Sequence, residues 1–277
     1  MMNRCSFGFL VLSLVWSLSA CSPLDTSSSN ISQPNAGDRP DSLAETNVKL
    51  GIGYLQQGQR ELALSKLRRA LELDPSLPSA HNALAIVYDQ LGEVGLAEQH
   101  YRRAVSLGPQ DSSSHNNYGT FLCKRNELDK AEEQFLLAIK NPLYETPEFA
   151  YENAGLCALR KPDLEKADKY FRTALQLNPK LPSSLYQMAQ LNLDRGEYLP
   201  ARAYMQRYTS VAKHNAQSLW LGVRIERALG DKNAVASYAL LLKSNFPDSD
   251  EARQLQESES RAGGQSGAST KQHDKSR

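Results

Sequence analysis

Cysteine and histidine are the residues of this 277-residue chain whose side chains could do chemistry. No two of them have the spacing of a zinc site, and the sequence has neither a glycine-rich phosphate loop nor a nucleophile elbow. His81 and His115 occupy the same position in successive copies of a repeated unit and are expected to pack inside it. We therefore predict that the protein is not an enzyme, with no catalytic residues, no metal, no other cofactor and no small-molecule substrate.

Cys21 is the cysteine for which the flanking sequence predicts a modification. Arg4 gives the chain a positive start, an apolar stretch follows at 7–16, and Leu-Ser-Ala-Cys lies at 18–21. The apolar stretch is shorter than the roughly 20 residues of a transmembrane helix and is typical of a secretory signal. The four residues look like a bacterial lipobox. We predict that residues 1–20 are a signal peptide and that Cys21 carries diacylglyceryl and N-acyl lipid.

The residues after Cys21 predict an outer-membrane location and a tether. Ser22 follows the cysteine, and by resemblance to lipoprotein sorting signals this favours the outer membrane over the inner one. Residues 21–43 are rich in Ser, Asn, Pro and Asp, so a flexible linker of roughly 25 Å is expected. Several acyl chains anchor a protein stably. The folded part should therefore stay at the periplasmic face. The alternative is a chance cysteine beside an ordinary cleavage site.

The charge balance gives no reason to expect a nucleic-acid partner. The chain has 32 Lys and Arg against 31 Asp and Glu. Removing residues 1–20 takes away Arg4 and no acid, which leaves the two signs equal. Proteins that bind nucleic acids usually carry a basic patch and a basic excess. Partner binding is therefore expected to depend on shape and apolar contacts.

A repeated pattern organises the middle of the chain. The segment LGIGYLQQGQRELALSKLRRALELDP (50–75) aligns with LAIVYDQLGEVGLAEQHYRRAVSLGP (84–109), so that Tyr54 matches Tyr88 and Pro75 matches a second proline. The offset of about 34 residues is the period of a tetratricopeptide repeat, which consists of a helix, a turn and a second helix. The sequence predicts an all-α protein, an α-solenoid of about six helix pairs.

The repeated region is expected to span 44–257. Its units lie near 44–77, 78–111, 112–147, 148–181, 182–215 and 216–249. The register slips by two residues in NPLYETPEF (141–149), where two prolines prevent a simple continuation. Residues 258–277, rich in Ser, Gly, Gln and charge, predict a disordered tail.

An apolar stripe marks the first helix of the first repeat. Val48, Ile52 and Leu55 lie at helical spacing, and Ile86 of the second repeat extends the stripe. The tetratricopeptide resemblance implies that such positions line a concave, partner-binding face, where the Asn82 amide could hydrogen-bond an extended peptide. Two interpretations stay open: an exposed groove for a partner, or packing against a neighbouring helix or the returning linker.

Cys123 and Cys157 remain after the signal peptide and the proposed lipid site are set aside. They lie in successive repeats, and the two-residue slip places them at repeat positions 12 and 10. Neighbouring first helices face each other with opposite flanks, so non-equivalent positions suit a bridge between them. An even pair in an exported protein favours a disulfide. The alternative is two separate buried thiols.

The segment NNYGTFLCKRNELDKAEEQFLLAIKNPLYETPEFAYENAGLCALR (116–160) resembles the type IV pilus biogenesis lipoprotein family known as PilF or PilW. The NNYG…FLC block, the NPLY…TPE connection and the NAGLC block occur together in that family. Residues 201–208 and 229–249 look like its last two repeats, so the likeness covers essentially the whole mature chain. A bridge from Cys123 to Cys157 also matches the family's cysteine-bearing blocks.

This resemblance implies a pilotin for the type IV pilus secretin. Such an outer-membrane lipoprotein binds secretin subunits and promotes their localisation and multimerisation, on which the pilus and twitching motility depend. Lipid on Cys21 would fix its location, and the groove of the early repeats would hold a secretin segment, which raises the effective concentration of the two proteins. One alternative is a general scaffold lipoprotein for outer-membrane-protein assembly or cell-wall factors. Another is a hydrolase or metal-dependent enzyme hidden in the groove.

Overall fold

The structure, a computed structural model, describes residues 42–273, with side chains through Arg261. The predicted signal peptide, Cys21 and most of the predicted tether lie outside the described residues. Within residues 42–273 there are thirteen α-helices and no strand. The helices are α1 (Leu43–Gln56), α2 (Arg60–Leu73), α3 (Pro78–Leu91), α4 (Val94–Leu107), α5 (Ser112–Lys124), α6 (Leu128–Lys140), α7 (Pro147–Arg160), α8 (Leu164–Leu177), α9 (Pro182–Asp194), α10 (Tyr198–Val211), α11 (Ala216–Leu229), α12 (Lys232–Asn245) and α13 (Asp250–His273).

The predicted all-α solenoid is confirmed. Each odd-numbered helix from α1 to α11 packs against the helix that follows it, which gives six pairs, and each pair packs against the next. The helix α13 packs on α11 and α12. No helix of the described chain is both long enough and apolar enough to cross a bilayer.

Glycine, asparagine and proline set the helix ends. The glycines Gly58 and Gly92 follow the first helices of the first two repeats with φ of 74° and 78°, a left-handed conformation that costs little without a Cβ. Asn126, with φ of 65°, has the same role in the third repeat. Pro78 and Pro182 begin α3 and α9, where the missing backbone N–H costs no hydrogen bond.

In the first five pairs, a large side chain from the second helix fills the space left by a small residue on the first. These large residues recur at one repeat position and are at most 3% exposed: Leu67, Tyr101, Phe135, Phe171 and Met205. A Cβ on Gly119 would lie 2.8 Å from the Phe135 ring, and one on Gly155 would lie 2.7 Å from Phe171. The glycines therefore permit a close approach of the two helices in a pair.

The two-residue slip lies in the connection between α6 and α7. The Asn141 side chain donates to the backbone carbonyl of Gln110 at 3.0 Å, and its oxygen accepts from the backbone N–H of Leu143 at 3.0 Å. The Leu143 side chain is 85% exposed. Asn141 therefore fixes the extra residues to the preceding repeat, so that the helix pairs on either side still stack.

The carboxyl-terminal helix differs from the predicted disordered tail. Helix α13 continues through His273, within the segment 258–277 for which the sequence predicts disorder. Ala252 and Leu255 are buried in a core with α11 and α12, which fixes the first turns of the helix. No proline interrupts the segment, and it is rich in good helix formers such as Glu, Gln, Arg and Ala.

Candidate partner-binding face

The first helices of the six pairs form one continuous face of the solenoid. We call it the first-helix face; it comprises α1, α3, α5, α7, α9 and α11. Contacts join α1 to α3, α3 to α5, α5 to α7, and α9 to α11. The five predicted groove residues lie on α1 and α3, at the amino-terminal end of this face.

The structure separates the predicted apolar stripe into buried and open residues. Val48 is only 4% exposed and belongs to the core of the first repeats, so its assignment to an open groove is wrong. Leu55 and Ile86 are half-buried and pack against the same core, whereas Ile52 is 38% exposed. A stripe of helical spacing spans one side of α1, and its Val48 edge turns towards the interior.

Asn82 takes part in the first of two amide contacts between successive first helices. Its side-chain oxygen accepts a hydrogen bond from the Asn117 amide nitrogen at 3.2 Å. One repeat further on, the Asn116 oxygen accepts from the Asn153 amide nitrogen at 3.0 Å. The oxygen of Asn82 is thus used between repeats, and its NH2 group is the part suited to donate to a peptide carbonyl.

An ion pair crosses the same face at the carboxyl ends of α3 and α5. The Lys124 ammonium lies 2.9 Å from the Asp89 carboxylate, which is 20% exposed. This pair was not identified from the sequence. The available signal was a pair of opposite charges near equivalent positions of successive repeats. The ion pair fixes the relative positions of α3 and α5 beside the apolar residues.

Cys123 of α5 and Cys157 of α7 form a disulfide in the structure, with their Cα atoms 5.8 Å apart. Both residues are at least nine-tenths buried. The Arg160 guanidinium donates to the backbone carbonyl of Cys123 at 2.6 Å, which adds a second link between the two helices. The third and fourth repeats are therefore joined covalently along the first-helix face.

Two exposed leucines on α1 were missed by the sequence reasoning. Leu43 is 64% exposed and Leu50 is 45% exposed, and these two leucines lie on the side of α1 opposite to Ile52. We call Ile52 and half-buried Leu55, which share one side of α1, the apolar edge. Leu84, which matches Leu50 one repeat later, is only 1% exposed. The repeat pattern treats these two leucines alike. The signal that could have separated them is position, since α1 has no helix before it in the described chain.

The face becomes polar towards its other end. The Glu152 carboxylate accepts from both the backbone N–H and the hydroxyl of Ser184, at 2.9 and 2.6 Å. The Arg224 guanidinium donates to Gln190 at 3.2 Å and lies 3.4 Å from Asp194. Apolar and polar parts of the first-helix face thus lie at opposite ends, and the apolar end suits an apolar segment of a partner.

The repeated histidines bind neighbouring side chains within their own repeats. Nδ1 of His81 lies 3.0 Å from Nδ1 of His100, and Nδ1 of His115 lies 2.8 Å from Oε1 of Gln134. Burial lowers the pKa of His100 to about 4. Among the described residues, no three His, Cys, Asp or Glu side chains are placed to hold a metal ion. These contacts join the two helices of one repeat, as expected for residues that pack inside it.

The comparisons with known proteins agree with this fold and extend beyond it. Models of the tetratricopeptide repeat match residues 48–112 and 150–181. The chain is 36% identical over 216 residues to the type IV pilus assembly protein PilF of Pseudomonas aeruginosa, and the match covers 78% of this chain and 86% of that protein.

Two solved structures are similar over most of their length. A structure of Pseudomonas aeruginosa PilF has 37% identity and a TM-score of 0.74, and the match covers 78% of this chain and 97% of that one. A structure of PilW, described as a widely conserved type IV pilus biogenesis factor, has 29% identity and a TM-score of 0.71. That match covers 78% of this chain and 99% of PilW.

Proposed function

Because this chain belongs to the PilF family of type IV pilus assembly proteins, we propose that it acts as the pilotin of a type IV pilus secretin. In this proposal it is an outer-membrane lipoprotein at the periplasmic face, anchored by lipid on Cys21. It binds secretin subunits through its repeats and promotes their localisation and multimerisation. Family membership supports the coarser role, a tetratricopeptide scaffold in type IV pilus biogenesis.

The observation that carries the binding proposal is the apolar edge on α1. Ile52 leaves a large apolar side chain open near the amino-terminal end of the first-helix face. Complete burial of one such side chain contributes roughly 1.5–3 kcal/mol of free energy. Because the side chain is partly exposed in the free protein, a bound partner could gain part of this energy by covering it. Half-buried Leu55 and Ile86 extend the same surface onto α3. A partner segment with apolar side chains fits this arrangement.

The position of Cys21 relative to α1 supports the anchoring proposal. Only the short segment 22–41 separates Cys21 from Ser42, the residue that caps α1. A flexible linker of that length spans roughly 25 Å on average, so the apolar edge would stay close to the membrane surface. Restricting the scaffold and a membrane-bound secretin subunit to one thin layer raises their effective concentration. Assembly is then favoured without any chemical step by this protein.

Binding through the apolar edge is tested with two matched substitutions. Ile52→Glu places a charge on the edge, and Leu62→Glu places one on α2, where Leu62 is similarly exposed at 47%. Affinity for the purified secretin subunit is measured by titration with each variant. We expect Ile52→Glu to weaken binding by about tenfold or more and Leu62→Glu to leave it unchanged. Equal effects of the two substitutions would contradict binding at this edge.

The role in secretin assembly is tested in cells with Cys21→Ala. Membrane fractions and unboiled secretin are compared between the wild type, this variant and a deletion strain. We expect secretin monomers, or secretin in the wrong membrane, in both mutants. The alternative, a general scaffold for outer-membrane-protein assembly or cell-wall factors, predicts normal secretin rings even in the deletion strain. Normal secretin rings in the deletion strain would contradict the pilotin proposal.

We also propose that the protein acts without catalysis. The described histidines are used in contacts within or next to helix pairs, and the first-helix face has the chemistry of a binding surface. A variant with all five histidines replaced by asparagine or glutamine should therefore support pilus assembly, provided that it folds. Loss of assembly by a folded variant would favour the enzyme hypothesis.

A further inference from the structure

An open cavity of about 670 Å³ lies along α4, away from the apolar edge. It is lined by one side of α4 and by His81 of α3, so it belongs to the second repeat. The lining residues are His81, Gly95, Glu98, Gln99, His100, Arg102, Arg103 and Ser106. Two guanidinium groups, two imidazoles, one amide and one hydroxyl therefore face a common space, against a single carboxylate.

The positive charge of this cavity is only partly neutralised. Arg102 forms an ion pair with Glu98 at 2.6 Å and also donates to the Tyr118 hydroxyl at 3.3 Å. Arg103 is exposed and has no ion pair or hydrogen bond to another described residue. Its charge acts instead on His81, whose pKa it helps to lower after the larger effect of burial. One guanidinium thus remains for an external anion.

The two imidazoles have a fixed arrangement of protons at neutral pH. His81 Nε2 lies 3.2 Å from the Pro75 carbonyl oxygen, so this nitrogen carries the proton and donates. Nδ1 of neutral His81 is then the acceptor in the 3.0 Å contact with His100, and Nδ1 of His100 is the donor. The ring of His100 also stacks on Tyr88, with centroids 5.4 Å apart.

We propose that this cavity is a binding site for a phosphate group. The Arg103 guanidinium would supply the charge, and the Ser106 hydroxyl and the Gln99 amide would supply additional donors. Hydrogen bonds from arginine to phosphate are charge-assisted and geometrically matched, which makes them stronger than neutral ones. The phosphate could belong to a soluble phosphate compound or to the headgroup of an anionic lipid.

Phosphate binding at this site would be coupled to proton uptake by the histidine pair. The groups that face His100 are His81 and Tyr88 of α3 and Arg68 of α2, while Arg103 acts on the pair through His81. The two arginines oppose protonation, and a bound anion would offset them. Phosphate should therefore raise the pKa of the pair and bind more tightly as the pH falls towards about 4, the pKa of His100 in the free chain.

Inorganic phosphate and two matched arginine variants provide the test. Arg69 occupies the repeat position of Arg103 one unit earlier, but it lies on α2 and pairs with Glu72 at 2.7 Å. Phosphate is titrated into the full chain and into R103Q and R69Q, and the histidine ring resonances are followed by NMR. We expect saturable shifts of the His81 and His100 signals in wild type and R69Q, and binding about tenfold weaker in R103Q.

Equal binding by R103Q and R69Q, or no saturable shift in the wild type, would overturn the proposal. The source of the phosphate is then separated with vesicles of phosphatidylcholine, with and without phosphatidylglycerol, added to the lipid-free chain. Binding that requires phosphatidylglycerol and is weakened by R103Q supports a lipid headgroup. Binding of inorganic phosphate without vesicle binding supports a soluble phosphate compound.

Discussion

Gly119 lies directly against the aromatic ring of Phe135, so that a Cβ on Gly119 would be 2.8 Å from the ring and 3.1 Å from the Ala131 carbonyl oxygen. This contact joins α5 to α6 in the repeat that also carries Cys123. The ring is fully buried and the opposing carbonyl belongs to the backbone, so neither group can move aside easily. The helix pair therefore depends on the absence of a side chain at position 119.

Gly119→Ala should lower the free energy of unfolding by about 1–3 kcal/mol, because the added methyl group overpacks the helix interface. The measurement is urea unfolding followed by circular dichroism. Gly53→Ala is the matched control, since a Cβ at Gly53 of α1 would meet no atom within 4 Å. Alanine there should stabilise the helix by up to about 1 kcal/mol. Similar effects at both positions would contradict the contact with Phe135.

Removal of the disulfide by the double substitution C123A/C157A should lower the free energy of unfolding by roughly 3–4 kcal/mol. The bridge closes a loop between residues 34 positions apart, which reduces the conformational entropy of the unfolded chain. Urea unfolding of the oxidised wild type, the reduced wild type and the variant measures the effect. The reduced wild type should resemble the variant. A reduced wild type as stable as the oxidised one would contradict this account.

Alanine substitutions at Val48 and Ile52 should have different effects on the free energy of unfolding, although the two residues lie one turn apart on α1. Val48→Ala removes two methyl groups from a buried position and should cost about 2 kcal/mol. Ile52→Ala removes apolar atoms from an open surface and should change stability by less than about 0.5 kcal/mol. Both values come from urea unfolding. The opposite order would mean that Ile52 and not Val48 faces the core.

Acid should destabilise the second repeat through its histidine pair. The pKa of His100 is lowered to about 4 in the folded chain, first by burial and then by His81 and Arg68, and the pKa of His81 is also lowered. A lowered pKa means that the unfolded chain takes up the proton first. The stabilisation is therefore complete above about pH 6.5 and is lost as the pH falls towards about 4.

The variant His100→Asn tests this pH dependence, because asparagine keeps a polar group and does not titrate. Urea midpoints are compared at about pH 7.5 and about pH 5, in buffers free of phosphate. The wild type should lose more stability between these two pH values than the variant does. An equal loss in both proteins would assign the acid sensitivity to other groups.

The repeat architecture could be predicted because its signal is local and recurs. Each unit repeats the small residue of the first helix and the large residue of the second, and four of the six units have a turn glycine. A weak signal at Gly119 or Phe135 is therefore reinforced by its counterparts in the neighbouring repeats. The two-residue slip was visible for a similar reason, since it displaces the pattern that follows residue 141. The exposed fraction of each side chain could not be predicted from the repeat pattern.

The candidate site was predicted less well, because burial depends on neighbouring helices that the period does not describe. Leu50 and Leu84 are equivalent in sequence, yet only Leu84 is buried. Conversely, Val48 looks like part of an open stripe and lies in the core. The contact between Asp89 and Lys124 depends on the stacking geometry of α3 and α5, which spacing alone does not specify.

The bridge between Cys123 and Cys157 determines how the chain would respond to tension. The closed loop contains all of α6, so a force applied at the amino end can unravel α1 to α4 but cannot extend the segment from 123 to 157. The disulfide therefore prevents the extension of a segment whose fully stretched length is roughly 110 Å. A protein pulled from this end therefore extends only through residues outside the loop that Cys123 and Cys157 close.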